Sequence, residues 1–305
     1  MFFVSGGIDL KKIGIVTDSN SGISQEEAKS SGIKVLPMPF MIDGETYYEG
    51  ITLNQEQFYE FLEKEADVST SQPSPESVIA MYKEELKEYD EVVYIPMSSG
   101  LSGSCQTATM LAQEEAFEGK VHVVNNQRIS VTQKSSVYDA LALAGKGYDG
   151  AKIKEILESD KFNSSIYIML DTLYYLKKGG RITPAAAAIG TLLKLKPVLQ
   201  IQGEKLDAYA KARTSAQGKS MMLQAIRKDI ETRFGGWDEQ TKERVFLQIA
   251  YTKNEDVALQ AKADMEKEFP GIEIRYVEPL SLSISCHIGP GALGMAVTQK
   301  LDETK

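Results

Sequence analysis

Apolar positions along this chain fall into two alternating rhythms. Short runs rich in β-branched residues, IGIV at 13–16, VVYI at 92–95 and VHVV at 121–124, have the continuous apolar character of strands buried on both faces. Longer stretches between them carry apolar residues at helical spacing. NQEQFYEFLEKE opens at Asn54, a suitable cap, and SPESVIAMYKEELKEY has Ser74 to cap it and Pro75 in its first turn. GIKVLPMPFMI reads as extended, with Pro37 and Pro39 making it irregular or an edge. Further on, AKIKEILES, SAQGKSMMLQAIRKDI and DVALQAKADMEKEF read as helices, and SSIYIML, KPVLQIQ, RVFLQIAY and IEIRYV as strands. A glycine loop comes after LSLSIS, at 280–285, and leads into a last short helix over 292–301.

Strands alternating with helices predict an α/β protein with mainly parallel sheets. At 305 residues the chain is long enough for two α/β domains, and the glycines of AGKGYDG suggest a division near residue 160, giving domains 12–160 and 161–305. The chain is 42% hydrophobic and 25% charged, which suits a sizeable core. A net charge of −9 argues against a nucleic-acid partner, which usually meets a basic field. The two cysteines, Cys105 and Cys286, lack metal-ligand spacing, so neither a zinc site nor a disulfide framework is expected. The N-terminal apolar stretch is too short for a signal peptide, and no uncharged run is long enough to span a bilayer. The expectation is a soluble cytoplasmic protein without metal or cofactor.

Several motifs match a pattern and fail its context. Gly289-x-Gly291-x-x-Gly294 spells a dinucleotide loop, but too little chain follows for the acidic residue that should bind the ribose. AQGKS ends like a phosphate loop, yet Arg213 stands where its first glycine belongs. GLSGS resembles a nucleophile elbow, with Ser104 in place of the closing glycine. His122 lies inside a strand and reads as structural. What remains are two serine-rich turns, STSQPSP at 69–75 and SSGLSGS at 98–104, and the loop SCHIGPGALG with His287. Both turns precede predicted helices, where free backbone N–H groups and a positive dipole end suit an anion. Converging at strand ends, they would form an anion pocket without evident catalytic machinery.

Taken in order, VTDSNSGIS, TSQPSP, IPMSSGLSGS, LKKGGRIT, GTLLKLKPVL, KART and HIGPGALG resemble the DegV family of bacterial fatty-acid-binding proteins, over about residues 12–303. The resemblance implies two α/β domains enclosing one long-chain fatty acid between them. It also implies a non-catalytic, acyl-carrying role: the carboxylate is presented to a separate ATP-dependent fatty acid kinase and phosphorylated to acyl phosphate. By resemblance Thr70 and Ser99 bind the carboxylate, with Ser98 as the neighbouring alternative and His287 in the same network. Arg181 falls near the head-group end, and Arg181, Lys211 and Arg213 are candidates for head-group field or partner contact. The chain departs from the family pattern at Asn125, where aspartate is usual, and after Arg213, where fewer basic residues follow. Residues 185–201, AAAAIGTLLKLKPVLQI, are a candidate tunnel wall. A Ser/His-dependent hydrolase or transferase and a stand-alone lipid sensor are the alternatives. Chain length, saturation and oligomeric state are not readable from the residues.

Overall fold

The computed structural model describes residues 11–184 and 195–301. Its first sheet has the order β2-β1-β6-β7, from Ile33–Leu36, Ile13–Asp18, Glu91–Ile95 and Val121–Val123. All its pairings are parallel, and β1 and β6 are buried throughout, which accounts for their unbroken apolar character. Helices α3 (Pro75–Glu85) and α4 (Ser104–Ala112) cover one face, where Val78, Tyr82 and Ala108 meet Val16 and Tyr94. Helices α1 (Gln25–Ser31), α5 (Ser130–Gly145) and α6 (Gly150–Ser159) cover the other.

A small antiparallel sheet, β4-β3-β5, is built from Glu45–Tyr48, Pro39–Ile42 and Val68–Thr70. The extended stretch read at 32–42 therefore divides between two sheets. Helix α2 (Gln55–Glu63) packs Phe58, Tyr59 and Leu62 onto this unit, and its capping box on Asn54 sets where it starts.

The third sheet has six strands in the order β10-β9-β8-β13-β11-β12. These are Leu206–Ala212, Lys196–Ile201, Ser164–Met169, Leu293–Gln299, Val245–Tyr251 and Ile274–Pro279. Only β11 and β12 pair in parallel; the other four pairings are antiparallel. The α/β class holds, and the parallel character expected of its sheets belongs to the first sheet. The helices Ser215–Thr232 and Glu255–Glu268 bury one face of the six-stranded sheet. The other face turns toward α5 and the strand ends of the first sheet. There Gln248 on β11 donates to the Val131 carbonyl and to Ser135 Oγ, both at 2.7 Å. Lys134 on α5 bridges Glu27 and Glu278 at 2.9 and 3.0 Å.

Near the C-terminus the sequence reading leaves one element unassigned and takes another, the expected last helix, for the wrong type. Residues Leu282–Ile288 form a helix, with Ser281 as its cap, and 293–299 form β13. The serine–aliphatic alternation has the period of a strand, but the segment is buried on nearly every side, which removes the polar face that a period of 3.6 would reveal. The run LGMAVTQ contains good helix formers, yet it fills the slot between β8 and β11, where ladder bonds on both edges override propensity. Gly289 and Gly291, at φ +74° and +79°, carry the chain from that helix into β13. A Cβ at either would overlap a side chain, Tyr175 at the first and Asp171 at the second.

Candidate functional site

A cavity lies between the strand ends of the first sheet, the small sheet and the inner face of the six-stranded sheet. Its volume is about 220 Å³. Period-two alternation fixes its floor. One rung across the sheet runs Ile201, Ile166, Ala296 and Gln248, and the next runs Leu199, Ile168, Gly294 and Ala250. The isoleucines and leucine of β9 and β8 thus give way to the small residues Ala296, Gly294 and Ala250, which line a trough. Met38, Met97, Leu101, Val131 and Ile284 enclose it from the other elements.

One end is polar. Thr70 closes β5, and its Oγ1 stands 2.7 Å from Nε2 of His287, in the last turn of the helix Leu282–Ile288. Burial, followed by the positive charge of Arg181, lowers the His287 pKa from 6.5 to about 4, so the imidazole is neutral at pH 7. Its Nδ1 is buried without a partner among the described residues and packs on Gly179, where a Cβ would overlap it. Protonation at Nδ1 would strand a buried donor, the rarer and costlier defect; protonation at Nε2 strands only an acceptor. The geometry therefore assigns the proton to Nε2, which donates to Thr70 and frees the Thr70 hydroxyl to donate onward. Arg181 lines the same end, exposed, with one guanidinium nitrogen 2.6 Å from the Gly179 carbonyl.

The helix carrying His287 is held from several directions. Glu49 accepts from the Leu282 N–H at 2.7 Å and from Gln55 at 2.6 Å, and burial raises its pKa to about 7. Asn20 accepts from Ser281 at 3.0 Å and Ser283 at 2.5 Å. Tyr59 meets Ser285 at 3.2 Å. Asp18, fully buried beside Asn20, accepts from the Met97 N–H at 2.8 Å, and desolvation raises its pKa to about 6.

Thr70, His287 and Arg181 thus meet at one end of the cavity, whereas the other expected site residues stand elsewhere. Ser98 donates to the Glu204 carbonyl at 2.8 Å, and Ser99 Oγ accepts from Asn125 at 2.9 Å. Neither lines the cavity; Ser102 and Gly103 of the same turn do. The cause is the β9–β10 turn, whose Glu204 backbone packs so closely on Gly100 that a Cβ there would overlap it. Lys211 on β10 and Arg213 just after it are exposed and lie outside the cavity wall, so they do not belong to its polar end. Of the tunnel-wall segment, Ile201 lines the cavity, and residues 185–194 lie outside the described residues. Sequence reading missed Ser102, Ser130, Ser283, Gln72 and the small residues of the trough. For Ser102 the SSGLSGS motif carried a signal that did not say which hydroxyl turns inward. Among the described residues no group of acidic, histidine or cysteine side chains is arranged to hold a metal ion, and no helix is long and apolar enough to cross a membrane.

The fold and the site define an α/β protein with a largely apolar cavity that carries Thr70, His287 and Arg181 on its wall. The chain belongs to the DegV family: the family profile, described as "Uncharacterised protein, DegV family", matches residues 12–300. Protein DegV of Bacillus subtilis is 30% identical over 288 residues, covering 93% of this chain and 98% of that protein. A DegV domain-containing protein of Staphylococcus aureus is 29% identical over 288 residues, covering 94% and 98%. Among solved structures, one described as fatty acid binding of a DegV family protein from Thermus thermophilus superposes with a TM-score of 0.83 at 30% identity, covering 94% of this chain and 99% of that one. DegV from Bacillus subtilis, described as a fatty acid binding protein, superposes with a TM-score of 0.82 at 28% identity, covering 95% and 100%.

Proposed function

We propose that this chain binds one long-chain fatty acid, carboxylate at the Thr70–His287–Arg181 end and tail in the apolar cavity. The carrying observation is that cavity: apolar walls and, at one end, the Thr70–His287–Arg181 group. Burying about fifteen methylenes at roughly 0.8 kcal/mol each gives about 12 kcal/mol before the cost of association, enough for tight binding without covalent chemistry. The fatty acid binding described for the Thermus and Bacillus relatives supports the same reading.

At the polar end the neutral His287 orients Thr70, the Thr70 hydroxyl donates to the carboxylate, and Arg181 offsets its charge. Ser102 adds a second hydroxyl from the serine turn. A hydrolase would need a base steered by an acid, but Nδ1 of His287 meets no carboxylate among the described residues, and its low pKa makes it a weak base. The role is carriage: the bound carboxylate is presented to a separate ATP-dependent kinase for conversion to acyl phosphate. Supporting this are the rejected nucleotide motifs and the exposed Lys211 and Arg213, offered as partner contacts.

Mass spectrometry of the protein after organic extraction tests the binding reading. A stoichiometric C14–C18 acid is expected, and delipidated protein should gain thermal stability from added palmitate or oleate. A melting temperature unmoved by both would overturn it. For carriage, acyl phosphate should form only when a kinase and ATP are both added; its formation by this chain with ATP alone would refute the role.

A further inference from the structure

The cavity has a second polar place, apart from the end that holds Thr70 and His287. Helix α5 begins at its wall: Ile129, Ser130 and Val131 all line the cavity. Ser130 is 5% exposed, and its hydroxyl has no hydrogen-bond partner among the described residues. Of the other hydroxyls lining the cavity, Thr70 meets His287, Ser102 accepts from the Ser104 N–H and Ser283 donates to Asn20, while Ser71 is exposed. Ser130 is also the first residue of a 16-residue helix whose cap, Ile129, has no side-chain oxygen to offer. The N–H groups of Ser130, Val131 and Thr132 therefore find no acceptor among the described residues, and the helix dipole adds to their pull. Its φ of +54° holds Ser130 in the left-handed region that glycine adopts without strain.

An unpartnered hydroxyl at the cavity wall and free N–H donors, among isoleucine, valine and methionine, suit an oxygen acceptor. That acceptor is uncharged. Among the described residues Arg181 is the sole cationic side chain lining the cavity, and it belongs to the other end. A carboxylate at Ser130 would be buried without a counter-ion. Resting on the fatty-acid reading, we propose that the N-terminus of α5, with Ser130, is a subsite for an oxygen substituent on the acyl chain. The ligand class is then hydroxy- or oxo-fatty acids.

Binding of stearate and of its positional hydroxy isomers to delipidated protein tests this. One positional isomer should bind at least roughly fivefold more tightly than the isomers whose hydroxyl meets only apolar wall. Ser130→Gly removes the hydroxyl while suiting the left-handed backbone, and it should shrink that preference at least roughly threefold while stearate binding stays unchanged. Thermal unfolding of the variant checks that it folds, and Ser130→Ala serves as a second hydroxyl-free variant. Hydroxy isomers that all bind alike, or a preference untouched by both variants, overturn the subsite and leave the fatty-acid reading standing. Failure of stearate and every isomer to bind wild type overturns both.

Discussion

At the scale of single residues, His287 works by what it does to Thr70. Thr70→Val keeps the shape and removes the hydroxyl, so fatty acid affinity should fall about tenfold, the worth of one charge-assisted hydrogen bond, as titration calorimetry would show. Gly179→Ala should act on the same pair from behind, because the new methyl overlaps the imidazole. The expected sign is weaker ligand binding with secondary structure intact by circular dichroism. His287 also leaves a mark on stability. Its folded pKa, about 4, lies below the ordinary 6.5, so the unfolded chain takes up the proton first as the solution is acidified. Stability from this group is complete above pH 6.5 and is lost as pH falls toward 4, by up to about 3 kcal/mol. Asp18 and Glu49 tilt the other way: their raised pKa values, about 6 and about 7, favour the fold at low pH, an advantage lost as pH rises through those values. Denaturant titrations between pH 4 and 7 should therefore show His287→Asn gaining stability relative to wild type as the pH falls, because the variant lacks the imidazole's contribution while Asp18 and Glu49 act in both. An unchanged slope would mean that the imidazole is not buried neutral.

At the scale of elements, the trough over β13 and β11 sets how much tail the cavity accepts. A Cβ on Gly294 would meet only ordinary van der Waals neighbours, the nearest at 3.5 Å, so a larger side chain is tolerated and points into ligand space. Gly294→Val adds three carbons there and should cost a C18 acid up to about 2 kcal/mol while sparing shorter acids. Competition between C12 and C18 acids reads the shift, and an unchanged ranking would show that the tail does not pass over β13. The first sheet was legible in the sequence because doubly buried strands advertise themselves as unbroken apolar runs, and α2 and α3 because Asn54 and Ser74 mark their starts. The segment 282–299 was not legible. Its helix hides inside a strand-like alternation, and β13 becomes a strand only because β8 and β11 leave a gap for it. Within the site, Thr70 and His287 were legible from motifs. Ser98 and Ser102 were not distinguishable, because the choice is made by Glu204, a residue of the β9–β10 turn far along the chain. Ser130 gave no local sign, since an uncapped helix start looks like any other until its surroundings are known.

At the scale of the whole molecule, α5 is the shared wall between the first sheet and the six-stranded one. Lys134 links it to Glu27 and Glu278, and Gln248 links it to β11. Lys134 is buried while Glu27 and Glu278 are about one-third exposed, so Lys134→Met removes charge-assisted hydrogen bonds without burying a lone charge and should cost about 1.5–3 kcal/mol in denaturant unfolding, loosening ligand retention with it. A loss under about 1 kcal/mol would show that solvent reaches the group. The place of β13 has a further consequence, for the order of events during synthesis. It is made after every strand it joins, yet it sits at the centre of the sheet, between β8 and β11. While the ribosome still holds it, the six-stranded sheet exists only as two separated halves, β10-β9-β8 and β11-β12, with a strand-wide gap between them. The first sheet can fold as it emerges, but the floor that carries Gly294 and Ala296 is laid last. A nascent chain therefore has no closed cavity, and ligand capture waits on the completed polypeptide.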